Sequence, residues 1–138
     1  MANALYNKFK EQLLQGGVNL STAVVKAVIV DTAGGATNYA FSQTHEFLSD
    51  VAAGARRGTT VALTGKTFTS GTFDAADIPG AFASLTGGAV EGVIFFVDTG
   101  VETTSRLIAF FDTGGGLPFT PTGNNVDMIF NASGIFSL

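Results

Sequence analysis

The longest apolar runs in the chain are Val93–Val97 and Leu107–Phe111, separated by a polar turn at Gly100–Thr104. Aromatic and aliphatic residues fill both, so they read as the two strands of a core hairpin. Thr22–Val30 has the same character, with Val24, Val25, Val28, Ile29 and Val30. Shorter strand-like segments are Asn38–Phe41, Phe82–Leu85, Val126–Phe130 and Ile135–Leu138. Thr59–Thr64 and Lys66–Phe73 read as a hairpin about Gly65, and Asn131–Gly134 as the turn of a last hairpin. Ser42–Val51 reads as one or two helical turns, and Ala52–Gly58 as a connection carrying Arg56 and Arg57. Ala75–Pro79 is a turn, Pro79-Gly80 ends any regular element, and Gly114-Gly115-Gly116 with Pro118–Pro121 forms a loop.

The N-terminus follows a different period. Leu5, Phe9 and Leu13 lie four apart, with Lys8, Lys10, Glu11 and Gln12 on the opposite face. This predicts an amphipathic helix over Ala4–Gln15, N-capped by Asn3 and stopped by Gly16-Gly17. No long helical period separates the later strands, which argues against a parallel βαβ architecture. The pattern predicts an all-β fold, a jelly-roll-like β-sandwich of about eight short strands behind a short N-terminal α-helix. Residues 1–17 form the helix or arm and 18–138 a single domain.

Composition changes this picture in one respect. Apolar residues make up 46% of the chain, charged residues only 13%, and the mean hydropathy is +0.36. A soluble domain usually carries about a quarter charged residues, and no run approaches the roughly 18 apolar residues of a membrane span. The surplus apolar surface therefore predicts burial against other chains, as a homo-oligomer or on a larger assembly. A net charge of −4 argues against nucleic-acid binding, which needs clustered Lys and Arg. The absence of Cys and the single His remove thiolate and multi-histidine metal chemistry. The opening residues have no apolar signal region, which predicts synthesis and folding in a cytoplasm.

Candidate chemistry is sparse. Asp98-Thr99-Gly100 and Asp112-Thr113-Gly114 each follow an apolar strand and match the Asp-Thr-Gly string of aspartic proteases. Those enzymes bring two such carboxylates together to share a proton. Here the copies are fourteen residues apart on one hairpin, and a third related string, Val28–Gly35, carries Asp31-Thr32. The repetition points to strand-end turns, where an Asp side chain accepts from the backbone two residues on. Leu63–Thr67 resembles the end of a phosphate loop but lacks the earlier glycine and the following helix. His45 with Glu46 and Asp50 has no nucleophile-elbow string to serve. Asp74 and Asp77 are too few for a calcium loop. Asn131-Ala132-Ser133 matches a glycosylation acceptor, which carries meaning only on a secreted chain. No catalytic residue, metal or cofactor is expected.

Four strings in the chain carry a resemblance. They are Met1–Ala33, the segment His45–Arg57, Leu63–Thr67 and Asp98–Gly123 with its SRLIA and GLPFTPTG portions. Together they resemble a recurrent small protein family of tailed bacteriophages, whose role is unassigned. The resemblance implies a structural virion component and defines no active site. Within that class the expectation is a capsid decoration, or cement, protein, trimeric and bound to the major capsid protein or another virion protein. It would contact neither nucleic acid nor membrane, and would reside in the virion after synthesis in the host cytoplasm. The segments expected to grip neighbours are Leu5, Phe9 and Leu13 of the helix, Arg56 and Arg57, and Ile135, Phe136 and Leu138 at the C-terminus. The competing expectation is a tail or fibre module that binds a glycan or receptor, with Phe119, Asn124 and Asn125 as its loop cluster.

Overall fold

The computed structural model describes residues 3–113 and 116–138. In chain order its elements are β1 (Ala4–Leu5), α1 (Asn7–Gln15), β2 (Val25–Val30), β3 (Arg56–Ala62), β4 (Thr72–Phe73), β5 (Ile78–Phe82), β6 (Gly92–Val97), β7 (Leu107–Phe111), β8 (Val126–Met128) and β9 (Phe136–Ser137). The fold is all-β in class, 33% strand in antiparallel sheets with one α-helix among the described residues. A five-stranded sheet runs in the order β1-β7-β6-β2-β3, and two two-stranded ribbons pair β4 with β9 and β5 with β8.

The expected β6–β7 hairpin forms, with Val93 opposite Phe111 and Ile94 opposite Phe110. β2 lies on the other side of β6, Ile29 opposite Val93 and Val28 opposite Ile94. Side chains alternate between faces, so Val28, Ile94 and Phe110 share one face and Ile29, Val93, Phe95 and Phe111 the other. Both faces are covered. On the first, Phe110 stacks on Phe41 at 5.0 Å and meets Tyr39 at 5.7 Å. On the second, Phe95 meets Phe130 at 6.1 Å. Two-sided burial is why these strands read as unbroken apolar runs instead of alternating ones. Gly92 has a packing role here, because a Cβ on it would stand 2.8 Å from Cε1 of Phe110 and 3.2 Å from Cγ2 of Val30.

The outer edge of β7 is closed by two separate segments laid end to end. Ala4 pairs with Phe110 and Leu5 with Ala109, and Tyr6 N–H donates to the Ile108 carbonyl at 3.1 Å. Further along, Leu107 N–H donates to Glu46 O, Phe47 bridges Arg106, and Leu48 N–H donates to Ser105 O. The helix therefore starts later than its apolar period predicts, at Asn7, with Tyr6 as an N-cap that makes no side-chain bond. Asn3 does not cap it. Its Oδ1 accepts from the backbone N–H groups of Asp112 and Thr113, at 2.9 and 3.2 Å, which prolongs the edge closure. Gly16 ends the helix as expected, in the left-handed conformation at φ 73°.

Other expectations are corrected by pairing between distant segments. Asn38–Phe41 is not a strand, and Ser42–Val51 contains one 3-10 turn at Leu48–Asp50. Arg56 and Arg57 lie inside β3, not in a connection. Lys66–Phe73 does not pair with β3; Thr67 bridges Asp74, and Thr72–Phe73 pairs with β9. Pro79-Gly80 lies within β5, tolerated by a register shift against β8 and by Gly80 at φ 62°. Val126–Met128 and Phe136–Ser137 are not hairpin partners, since each joins a different ribbon. Of the predicted glycine loop, Gly114 and Gly115 lie outside the described residues.

Candidate functional site

β6 and β7 are antiparallel, so the aspartates that follow them stand at opposite ends of the hairpin. At about 3.3 Å per strand residue the two positions are roughly 17–20 Å apart, and a shared proton needs carboxylates about 3 Å apart. The two copies of the string do not meet. Asp98 instead closes its own turn: Oδ1 accepts from Gly100 N–H at 3.0 Å, and Oδ2 pairs with Lys26 Nζ at 2.7 Å. The Lys26 ammonium, then the Gly100 N–H, hold this carboxyl below the usual aspartate range. Asp31, buried at the end of β2, takes a different partner, Arg57 Nη1 at 2.9 Å. For Asp112 it is the backbone that is engaged, through Asn3.

The adjacent arginines form two internal clamps. Successive residues of β3 point to opposite faces, which sends the two heads to different loops. Arg56 makes a two-pronged bond to Glu102, at 2.8 and 3.1 Å, and donates to the carbonyls of Leu48 and Val51. Glu102 is held below its usual range by that guanidinium. Arg57 binds Asp31 and donates to the carbonyls of Gly88 and Thr86 at 2.9 and 2.6 Å. Both side chains are mostly buried, at 16% and 14% exposure. A third clamp, Arg106, pairs with Glu46 at 2.9 Å and lies over the Phe47 ring.

His45 belongs to a hydrogen-bonded row. Its Nδ1 lies 2.7 Å from Tyr39 Oη, which lies 2.8 Å from Tyr6 Oη. Burial pushes Tyr39 up to about 12 and raises Tyr6 as well, so both phenols stay protonated and act as structural links. Asp50 closes the neighbouring turn by accepting from Glu46 and Phe47 N–H at 2.8 and 3.1 Å. Partial desolvation raises its pKa, and those two bonds with the nearby His45 outweigh it, leaving the carboxyl below its usual range.

The remaining candidates are also engaged locally. Lys66 donates to the carbonyls of Leu20 (2.7 Å) and Ala23, and no helix follows it to hold a phosphate. Asp74 accepts from Ala75 N–H, and Asp77 from Phe130 N–H at 2.8 Å. Among the described residues, no group of three or more His, Cys, Asp or Glu side chains is placed to hold a metal ion. Asn125 Oδ1 accepts from Ser84 N–H, Asn124 donates to Thr122, and the backbone of Phe119 pairs with Val90. Asn131 Oδ1 accepts from Ser133 N–H at 2.8 Å, inside the turn that leads to β9.

The residues expected at an interface divide into two groups. Phe9 is wholly buried, and Leu5, Leu13, Ile135 and Phe136 are half-buried against the core. Phe9 meets Phe136 edge-on at 6.1 Å and Phe136 meets Phe73 at 5.3 Å, so the helix and the last strand are packed on each other. Leu138 is 76% exposed, and its helix counterpart is Leu14, 90% exposed. Leu14 is the residue that sequence reasoning passed over. It lay beside the apolar stripe, and only the direction of the helix places it outside. No helix among the described residues is long and apolar enough to cross a membrane. No protein-family model matches the chain, and no curated protein matches it.

Proposed function

We propose that this protein is a structural component of a bacteriophage virion, and within that class a capsid decoration protein that stabilises the shell by adding subunit contacts. The observation that carries the reading is the α1–β9 unit. Phe9 and Phe136 fix the helix and the last strand to each other, while Leu14 and Leu138 remain exposed. A pre-ordered apolar patch docks without the ordering cost of a free arm. The arginine clamps and strand-end aspartates support the same reading, since they occupy the charged side chains in holding loops together. The resemblance to small phage proteins adds the virion and the trimeric state. The β-sandwich reading of the fold belongs with this proposal, supported by the β5–β8 ribbon acting as a short second layer.

The test is to add the purified protein to capsids that lack it, and to measure copy number by mass spectrometry and capsid disruption temperature. Hundreds of copies and a raised disruption temperature are expected. Leu14→Asp and Leu138→Asp, both at exposed positions, should abolish binding while leaving the fold intact. Absence of binding, or a few copies at the tail alone, overturns the decoration reading.

A further inference from the structure

A cleft of about 420 Å³ lies between the second face of the five-stranded sheet and the β5–β8 ribbon. Val93, Phe95 and Phe111 form its floor, and Val126 and Met128 stand on the ribbon side. Its origin is geometric. β8 is only three residues long, and its pairing with β5 is interrupted between Ile78 and Phe82. The ribbon is therefore too short to cover the sheet face beneath it, and Val93 and Phe111 are left half-buried in strands whose neighbours are buried. We propose that this cleft is a binding site for a small, uncharged, largely apolar molecule, and this holds whether or not the protein belongs to a virion.

Size, charge and shape each narrow the ligand. The volume lies within the roughly 300–1,000 Å³ of pockets that take drug-sized molecules. No Lys, Arg or His lines the cleft, and Asp127 is its one ionisable residue, with Oδ1 already accepting from Gly80 N–H at 2.6 Å. A carboxylate or phosphate head would be desolvated there with no cation to meet it, which excludes fatty acids and phospholipids as ligands. The rings favour a flat apolar group. Phe95 stands edge-on to Phe111 at 5.4 Å and tilted to Phe130 at 6.1 Å, an arrangement that accommodates a further ring. Polar recognition at the rim is limited. The Asn3 amide is committed to Asp112 and Thr113, whereas Asn131 uses its Oδ1 for Ser133 and keeps an NH₂ donor. A ligand with one acceptor, such as an alcohol, ketone or ester, fits that supply.

The test is a titration of the whole protein with N-phenyl-1-naphthylamine, an uncharged fluorescent apolar probe. A saturable rise with one site per chain is expected. Benzyl alcohol should displace the probe, and octanoate should displace it at least tenfold less well. Val93→Phe, which fills the floor, should weaken binding tenfold or more. Independently of any variant, the probe should shift the aromatic NMR resonances of Phe95, Phe111 and Phe130 in the native chain. No saturable signal, equal displacement by octanoate, or shifts confined to other residues would each overturn the proposal. So would probe binding that vanishes as the protein self-associates, because a second copy would then be the occupant.

Discussion

Replacing Gly92 by Ala tests the packing of the central sheet directly. In a strand interior, Ala is normally better than Gly by about 0.5–1 kcal/mol, because Gly loses more backbone freedom on folding. Here the new Cβ would stand 2.8 Å from the Phe110 ring. That ring cannot swing aside, since it is 1% exposed and held by Phe41 and Tyr39. Forcing an extra methyl into a filled core costs about 1–3 kcal/mol. The net expectation is a loss of about 1–2 kcal/mol, or a fall in Tm of about 4–8 °C for a chain of this size. Phe110→Leu removes the obstructing ring and should itself cost less than the about 3–5 kcal/mol of truncation to Ala. In that background Gly92→Ala should become neutral or stabilising, a coupling of about 1–2 kcal/mol between the two sites. Urea denaturation of the four proteins, followed by far-ultraviolet circular dichroism, measures the cycle. If Gly92→Ala is neutral in the native sequence, or costs the same in both backgrounds, the ring is not what requires glycine.

Arg57→Ala should remove about 3–5 kcal/mol, because it strands the buried Asp31 carboxylate; adding Asp31→Asn should recover part of the loss in the same denaturation assay. Asp98→Asn should fold normally and lose about 0.5–1 kcal/mol, since its pair with Lys26 is partly exposed. Its carboxyl is lowered in the folded state, so the pair stabilises above the ordinary aspartate value of 3.8 and is lost as pH falls through the folded value; a Tm–pH series should show a shallower acid limb for the variant. Asn3→Ala should cost about 1–2 kcal/mol and speed amide exchange at Asp112 and Thr113, whose N–H groups Asn3 holds.

The all-β class and the β6–β7 hairpin were legible because they depend on local runs of residues that bury on both faces. The Asp98 turn was legible for a similar reason, as its acceptor and donor are two residues apart. Asn3 shows where local reading stops. A polar residue before an amphipathic segment resembles a helix cap, but its partners lie more than a hundred positions away. Arg56 and Arg57 looked like a solvated pair because their acceptors, Glu102 and Asp31, come from other segments. The cleft was invisible for a third reason. It is created by the shortness of β8, and what a strand fails to cover has no sequence pattern of its own.

The closure of β7 by the start of the chain also sets a timetable. Ala4 and Leu5 are among the first residues made, yet their partners are Phe110 and Ala109. On the ribosome the opening segment has nothing to pair with until most of the chain has emerged. The central sheet is thus assembled after synthesis and in one step, by contacts distant in sequence. Such topologies fold in milliseconds to seconds, far more slowly than helical bundles. During that interval the β7 edge is a bare row of N–H and C=O groups, and a chain shortened at its start would keep that edge open to pairing with other chains.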